Sequence, residues 1–202
     1  SYEGLVAALN TAKDGDTITV SGKIAIDVPL KITKSVTLTG GSIVPSENFS
    51  GSCLVTLETA GATLTLGDIK LDAEKKGRVI VCTAGTLEID GATITGGKAA
   101  NSFIGGVYMT NSSELHMTSG FITGNVNGNT AYTSDNYLQY ASDLWIGANA
   151  SGVVEDGTVD NVFVNANSYS ANDQGAFAQA GGKVTNLYVE YAENNGADVL
   201  YG

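Results

Sequence analysis

Acids, a single histidine and a single arginine are the residues of this chain whose chemistry reaches beyond packing. The densest acidic stretch, "EDGTVD" (155–160), supplies Glu155, Asp156 and Asp160, with Asp173 farther along. Calcium takes carboxylate and carbonyl oxygens, so these four are the candidate metal ligands. Glycoside cleavage asks for a carboxylate pair, one to protonate the leaving group and one to activate water or attack. The spacing matches no EF-hand and no glycine–aspartate nonapeptide. Solvated turn acids are therefore expected, with no cofactor assigned and calcium as the alternative. His116 is predicted to point outward between Leu115 and Met117, stacked with Thr37, Thr65 and Glu88. A Glu88–His116 contact would be a proton-transfer pair or, more simply, a surface ion pair. Arg78 follows "EKKG" at a predicted corner and is expected to be solvated. GxSxG, HExxH and phosphate-cradling glycine loops are absent, and no catalytic residue is assigned.

Recognition chemistry has better material. "NVNGNTAYTSDNYLQYASDLW" (125–145) sets Tyr132, Tyr137, Tyr140 and Trp145 among asparagines, serines and glycines. Rigid aromatic faces beside amide and hydroxyl donors suit adaptable binding. An outward column of Lys70, Thr95, Thr123, Phe163 and Tyr188 is also expected, its two aromatic rings forming a stacking platform. The six ligand-binding candidates are thus Tyr132, Tyr137, Tyr140, Trp145, Phe163 and Tyr188. The competing reading folds the insertion back and buries its tyrosines, with Trp145 pointing inward.

What positions these residues is a repeat. "VTLTGGSI" (36–43), "LTLGDIKL" (64–71), "LEIDGATI" (87–94) and "LHMTSGFI" (115–122) share two apolar residues two apart, a small or polar corner and a further apolar residue. Their first apolar positions, Val36, Leu64, Leu87 and Leu115, step by 28, 23 and 28 residues. "GTVDNVFVN" (157–165) and "GKVTNLYVE" (182–190) repeat at a step of 25. Short strands joined by glycine corners cannot bury an apolar face alone, but stacked about 4.8 Å apart they form a continuous core. Parallel strands with right-handed crossovers are the strong default, and roughly six or seven levels fit. Residues 1–15 read as an amphipathic helical cap with Leu5, Val6 and Leu9 on one face, and 125–142 as an insertion.

Composition narrows the partners. A net charge of −11 and scattered cations, only one of them arginine, argue against nucleic acid. No apolar run is long enough to span a bilayer. Glycine is abundant at 26 residues and proline scarce at 2, which suits many tight turns. Cys53 and Cys82 have no metal or redox spacing. With Leu57 aligned to Val81 they fall about five residues out of register, too far apart to bridge.

"AKDGDTITV", "PLKITKSVTLTGG" and the "GTLEIDGATITGG"-type units resemble the right-handed parallel β-helix of the pectate-lyase-like superfamily, and more narrowly the adhesin-like repeat proteins of bacterial surfaces. The resemblance implies an all-β fold, a single right-handed parallel β-helix (solenoid) domain over 1–202 with a short N-terminal capping helix. It also implies an extracellular module, excerpted from a longer surface protein with further domains. The expected function is non-catalytic binding of polysaccharide or host glycoprotein. The alternatives are a polysaccharide lyase or glycoside hydrolase using the 155–173 acids, and a ligand-free spacer. Fold alone does not choose among them.

Overall fold

The structure, a computed structural model, describes residues 1–129, 140–165, 175–190 and 198–201. Ser1 opens α1 (Tyr2–Thr11), its Oγ accepting from the Gly4 N–H at 3.2 Å, a donor with no partner inside the helix. Leu5 is buried, and Val6 and Leu9 are half-buried against the same apolar cluster, so the expected face is the packed one. The helix stops at Thr11, short of residue 15, where Asp16 turns back to accept from the Lys13 N–H at 2.8 Å.

Strands follow in sets. The first is β1 (Asp16–Thr19), β2 (Lys23–Ile26) and β3 (Leu30–Ile32); the second is β4 (Val36–Thr39), β5 (Ser42–Pro45) and β6 (Cys53–Leu57). The third is β7 (Thr63–Leu66), β8 (Lys70–Asp72) and β9 (Arg78–Cys82). Beyond these, some strands run through a corner: β10 (Thr86–Thr95), β11 (Val107–Met109), β12 (Glu114–Ile122) and β13 (Leu144–Ile146). The last are β14 (Ser151–Val154), β15 (Thr158–Asn165), β16 (Ala176–Gln179), β17 (Lys183–Glu190) and β18 (Asp198–Tyr201). Every pairing among the described residues is parallel, and β1 to β6 each pair with the strand three later. Among the described residues the result is mostly β, with one short helix and one large, curled, all-parallel sheet.

Three ranks of strands share one core. In the first rank, Val36, Leu64, Leu87 and Leu115 lie in register, as the repeat predicts. The column continues through Gly152 to Phe177. A Cβ at Gly152 would come 2.9 Å from Ile146 Cδ1, so the glycine leaves room for that side chain. The second rank stacks Ile24, Ile43, Leu71, Ile94, Ile122 and Val159. The third stacks Leu30, Val55, Ile80, Val107, Leu144 and Val162. Between ranks, Gly120 and Gly157 sit at the corner with φ of 104° and 99°, and a Cβ on Gly157 would lie 2.6 Å from the Gly120 carbonyl.

Cys82 is a core residue of the third rank, between Leu57 and Met109. Leu57 faces Cys82 rather than Val81, one residue from the expected register, and Cys53 faces Arg78. Both thiols are free and buried, and burial pushes both pKa values up. Among the described residues no helix is long and apolar enough to cross a membrane.

Candidate functional site

Period-two alternation in the third rank turns one residue of each strand outward, away from the main core. Early levels place Lys31, Thr56 and Val81 in that outward column. The later levels place Tyr108, Trp145, Phe163 and Tyr188 there, in direct register. Their rings stack: centroids are 6.0 Å apart for Tyr108–Trp145, 4.6 Å for Trp145–Phe163 and 5.1 Å for Phe163–Tyr188. The central pair is nearly parallel at 8°. At the early end of the column the Arg78 guanidinium carbon lies 5.1 Å from the Tyr108 ring centroid, a cation–π contact.

The column is not an open platform. Phe103, Ile104 and Ala141 pack over it as a second apolar cluster, leaving Trp145 8% and Phe163 0% exposed. Tyr108 and Tyr188 are half-exposed. Trp145 points away from the main core and yet is buried, an outcome between the two sequence expectations. Phe163 and Tyr188 do share a column, but not with Lys70, Thr95 and Thr123. Lys70 pairs with Thr93, and Thr95 with Asp72. The reason lies in β15, which covers two ranks without a loop: Thr158 and Val159 pair with β12, whereas Val162–Val164 pair with β13. In the preceding level, residues 123–143 separate the equivalent strands. Residues counted from the corner as second-rank have by Phe163 already entered the third.

Tyr140 is half-buried at the end of the insertion, and Tyr132, Tyr137 and Asp173 lie outside the described residues. Polar bonds tie down the two ends of the insertion. Asp143, fully buried, accepts from the Asn125 N–H at 3.0 Å and from Asn125 Nδ2 at 2.9 Å. Its other oxygen accepts from Ser142 Oγ at 3.0 Å and Asn161 Nδ2 at 2.8 Å, and Asn186 Nδ2 donates onward to Asn161 Oδ1 at 2.9 Å. Asn125 Oδ1 accepts from the Gly97 N–H at 2.9 Å. Burial drives the Asp143 pKa above the ordinary carboxylate range, and the bonds from Asn161, Asn125 and Ser142 offset only part of that. This hub has no sequence signature, because its members come from 97 to 186 and meet only through the stacking.

The acids are dispersed. Glu155 and Asp156 are exposed, Asp160 is half-buried, and Asp156 Oδ1 accepts from the Gly157 N–H at 2.7 Å as a turn residue. Among the described residues no three His, Cys, Asp or Glu side chains gather as a metal-binding group. The expected column Thr37–Thr65–Glu88–His116 is the observed register. The contact differs, however: Glu88 accepts from Thr65 Oγ1 at 3.0 Å, while His116 Nε2 meets Glu155 Oε1 at 3.0 Å. Both side chains are about half open to solvent, which suits a surface contact of little energetic weight. Arg78 is not a solvated corner residue. It begins β9, half-buried, and its Nη2 donates to Ser102 Oγ at 2.8 Å and to the Phe103 carbonyl at 3.1 Å. No known protein family, characterised protein or solved structure shows significant similarity to this chain.

Proposed function

We propose that the chain is a right-handed parallel β-helix that acts as a non-catalytic recognition module outside a bacterial cell, holding a polysaccharide or glycoprotein. The solenoid reading draws support from the in-register ranks, the corner glycines and the general right-handedness of parallel crossovers. Bacterial, extracellular placement draws on the resemblance of the repeat units to adhesin-like proteins. A single observation carries the recognition reading, the change in one outward column from Lys31, Thr56 and Val81 to Tyr108, Trp145, Phe163 and Tyr188. A ligand-free spacer needs only ordinary strand-surface residues on every level. Here the later levels instead build a rigid aromatic spine that anchors the 97–106 segment and the end of the insertion. Its flanking tyrosines are half-exposed, and aromatic faces bind sugar C–H faces. The reading needs no metal.

A pull-down against plant polysaccharides and mucin glycans tests it, with bound protein and released oligosaccharides measured in the same tubes. Binding without products is expected, unchanged by chelator and lost in Tyr188→Ala or in Tyr137→Ala with Tyr140→Ala. Released products would overturn the reading in favour of a lyase or hydrolase. Neither binding nor products would leave the spacer.

A further inference from the structure

The chain has ten lysines and arginines against twenty-one acids, so a place where cations gather without acids stands out. A cleft of about 380 Å³ is such a place, and Lys76, Arg78 and Lys98 line it. Ser52 and Ser102 add hydroxyls, the rest of the wall is glycine and alanine, and no carboxylate is part of it. The cations come from successive levels. The Arg78 N–H donates to the Ser52 carbonyl at 2.8 Å, and the Lys98 N–H to the Gly77 carbonyl at 2.7 Å. The main chain therefore sets Arg78 and Lys98 about one strand spacing, ~4.8 Å, apart along the stack.

Two lysines outside the cleft have counter-charges, Lys23 with Glu74 and Lys70 with Asp72, each at 2.9 Å. Among the described residues none of the three cleft cations has a carboxylate partner. Lys76 Nζ donates to the Ser46 carbonyl at 2.8 Å. Arg78 is held by Ser102, the Phe103 carbonyl and the Tyr108 face, all through neutral groups. Its buried Nε has no acceptor. A guanidinium fixed in this way is a pre-organised positive charge at the cleft wall, and the neighbouring ammonium groups add to that charge. Three like charges around one concavity repel one another and focus a positive potential into it, which an anion relieves.

We infer that this cleft binds an oxyanion, a sulfate ester or a carboxylate, carried on a small uncharged body of monosaccharide size. The site is argued from the cleft and does not rest on the recognition role proposed for the aromatic column. The test is an amide-shift titration of the whole chain at constant ionic strength. The probes are inorganic sulfate, galactose 6-sulfate, galacturonate, neutral galactose and sodium chloride. Saturable shifts at Ser52, Gly77, Lys98 and Ser102 are expected with one or more of the three oxyanions, and none with galactose or chloride. The pattern among the three distinguishes a sulfate-ester ligand, a carboxylate ligand and a free inorganic ion. Lys76→Gln with Lys98→Gln should weaken that binding at least about tenfold, as loss of charged hydrogen bonds does. These side chains are not in the core, and an unchanged melting temperature would show that the fold is kept. No saturable response to any oxyanion, an equal response to chloride, or full binding by the folded double variant would each overturn the site.

Discussion

Asp143 shows how a single residue gains a role from its surroundings alone. It is a buried carboxyl whose hydrogen-bond partners are all neutral, with its pKa raised by desolvation. A folded-state pKa above the unfolded value means that the folded form holds the proton more tightly. The stability this confers is present below the ordinary carboxylate value and is lost as pH rises through the raised one. Asp143→Asn removes the titration while keeping the shape. The variant is expected to be less stable than the parent at pH 4, because an amide cannot accept every bond the carboxyl does. That deficit should shrink between pH 4 and pH 7, as the parent alone loses stability. Thermal melts of both proteins across this range check it, and a deficit that grows with pH would mean that the hydrogen bonds outweigh desolvation. The expected Glu88–His116 pair fails at this same scale: Cα register was correct, but side-chain reach across the stack joined His116 to Glu155.

At the scale of elements, β13, β15 and β17 each carry two inward residues around one outward aromatic. In β13 and β15 the outward residue is buried in its own right by 103–104 and 141, so these two strands bury apolar side chains on both faces, whereas Tyr188 of β17 stays half-exposed. Phe163→Ala is expected to cost about 3–5 kcal/mol, the range for a fully buried aromatic, whereas a strand-surface residue would cost little. Urea denaturation measures this, and a loss under about 1 kcal/mol would show that the second cluster contributes little to stability. The β10–β11 and β12–β13 connections are the two longest, and residues 103–104 and 141 from them cover the column. Trp145, Phe163 and Tyr188 were legible in the sequence as aromatics, each between apolar neighbours, whereas Tyr108, set in the same way, was missed. The alignment of the four was not legible, because residue counting had to cross loops of unequal length.

For the whole molecule, the proposed β-helix makes stability nearest-neighbour in character. Interior levels have a partner above and below, while β1 and β2 lean on α1. Native-state hydrogen exchange should therefore show β7 to β12 as the most protected strands, with β1 and β2 exchanging sooner. Equal protection in both sets would mean that the chain opens only as one unit.

The sequence by itself determined the strand content, the inward columns from Val36 to Leu115, the packed face of α1 and the absence of a bridge between Cys53 and Cys82. Each of these follows from alternation and repeat spacing, which are local or periodic and so survive without coordinates. Tertiary structure alone decided that Phe163 stacks on Trp145, that Arg78 lies over Tyr108, that Asp143 is a buried hub and that Lys76, Arg78 and Lys98 share a cleft. These contacts join levels across loops whose lengths set the register. A side chain's neighbours in a stacked fold are fixed by how much chain each level spends on its corners, and that quantity appears only once the levels are laid on one another.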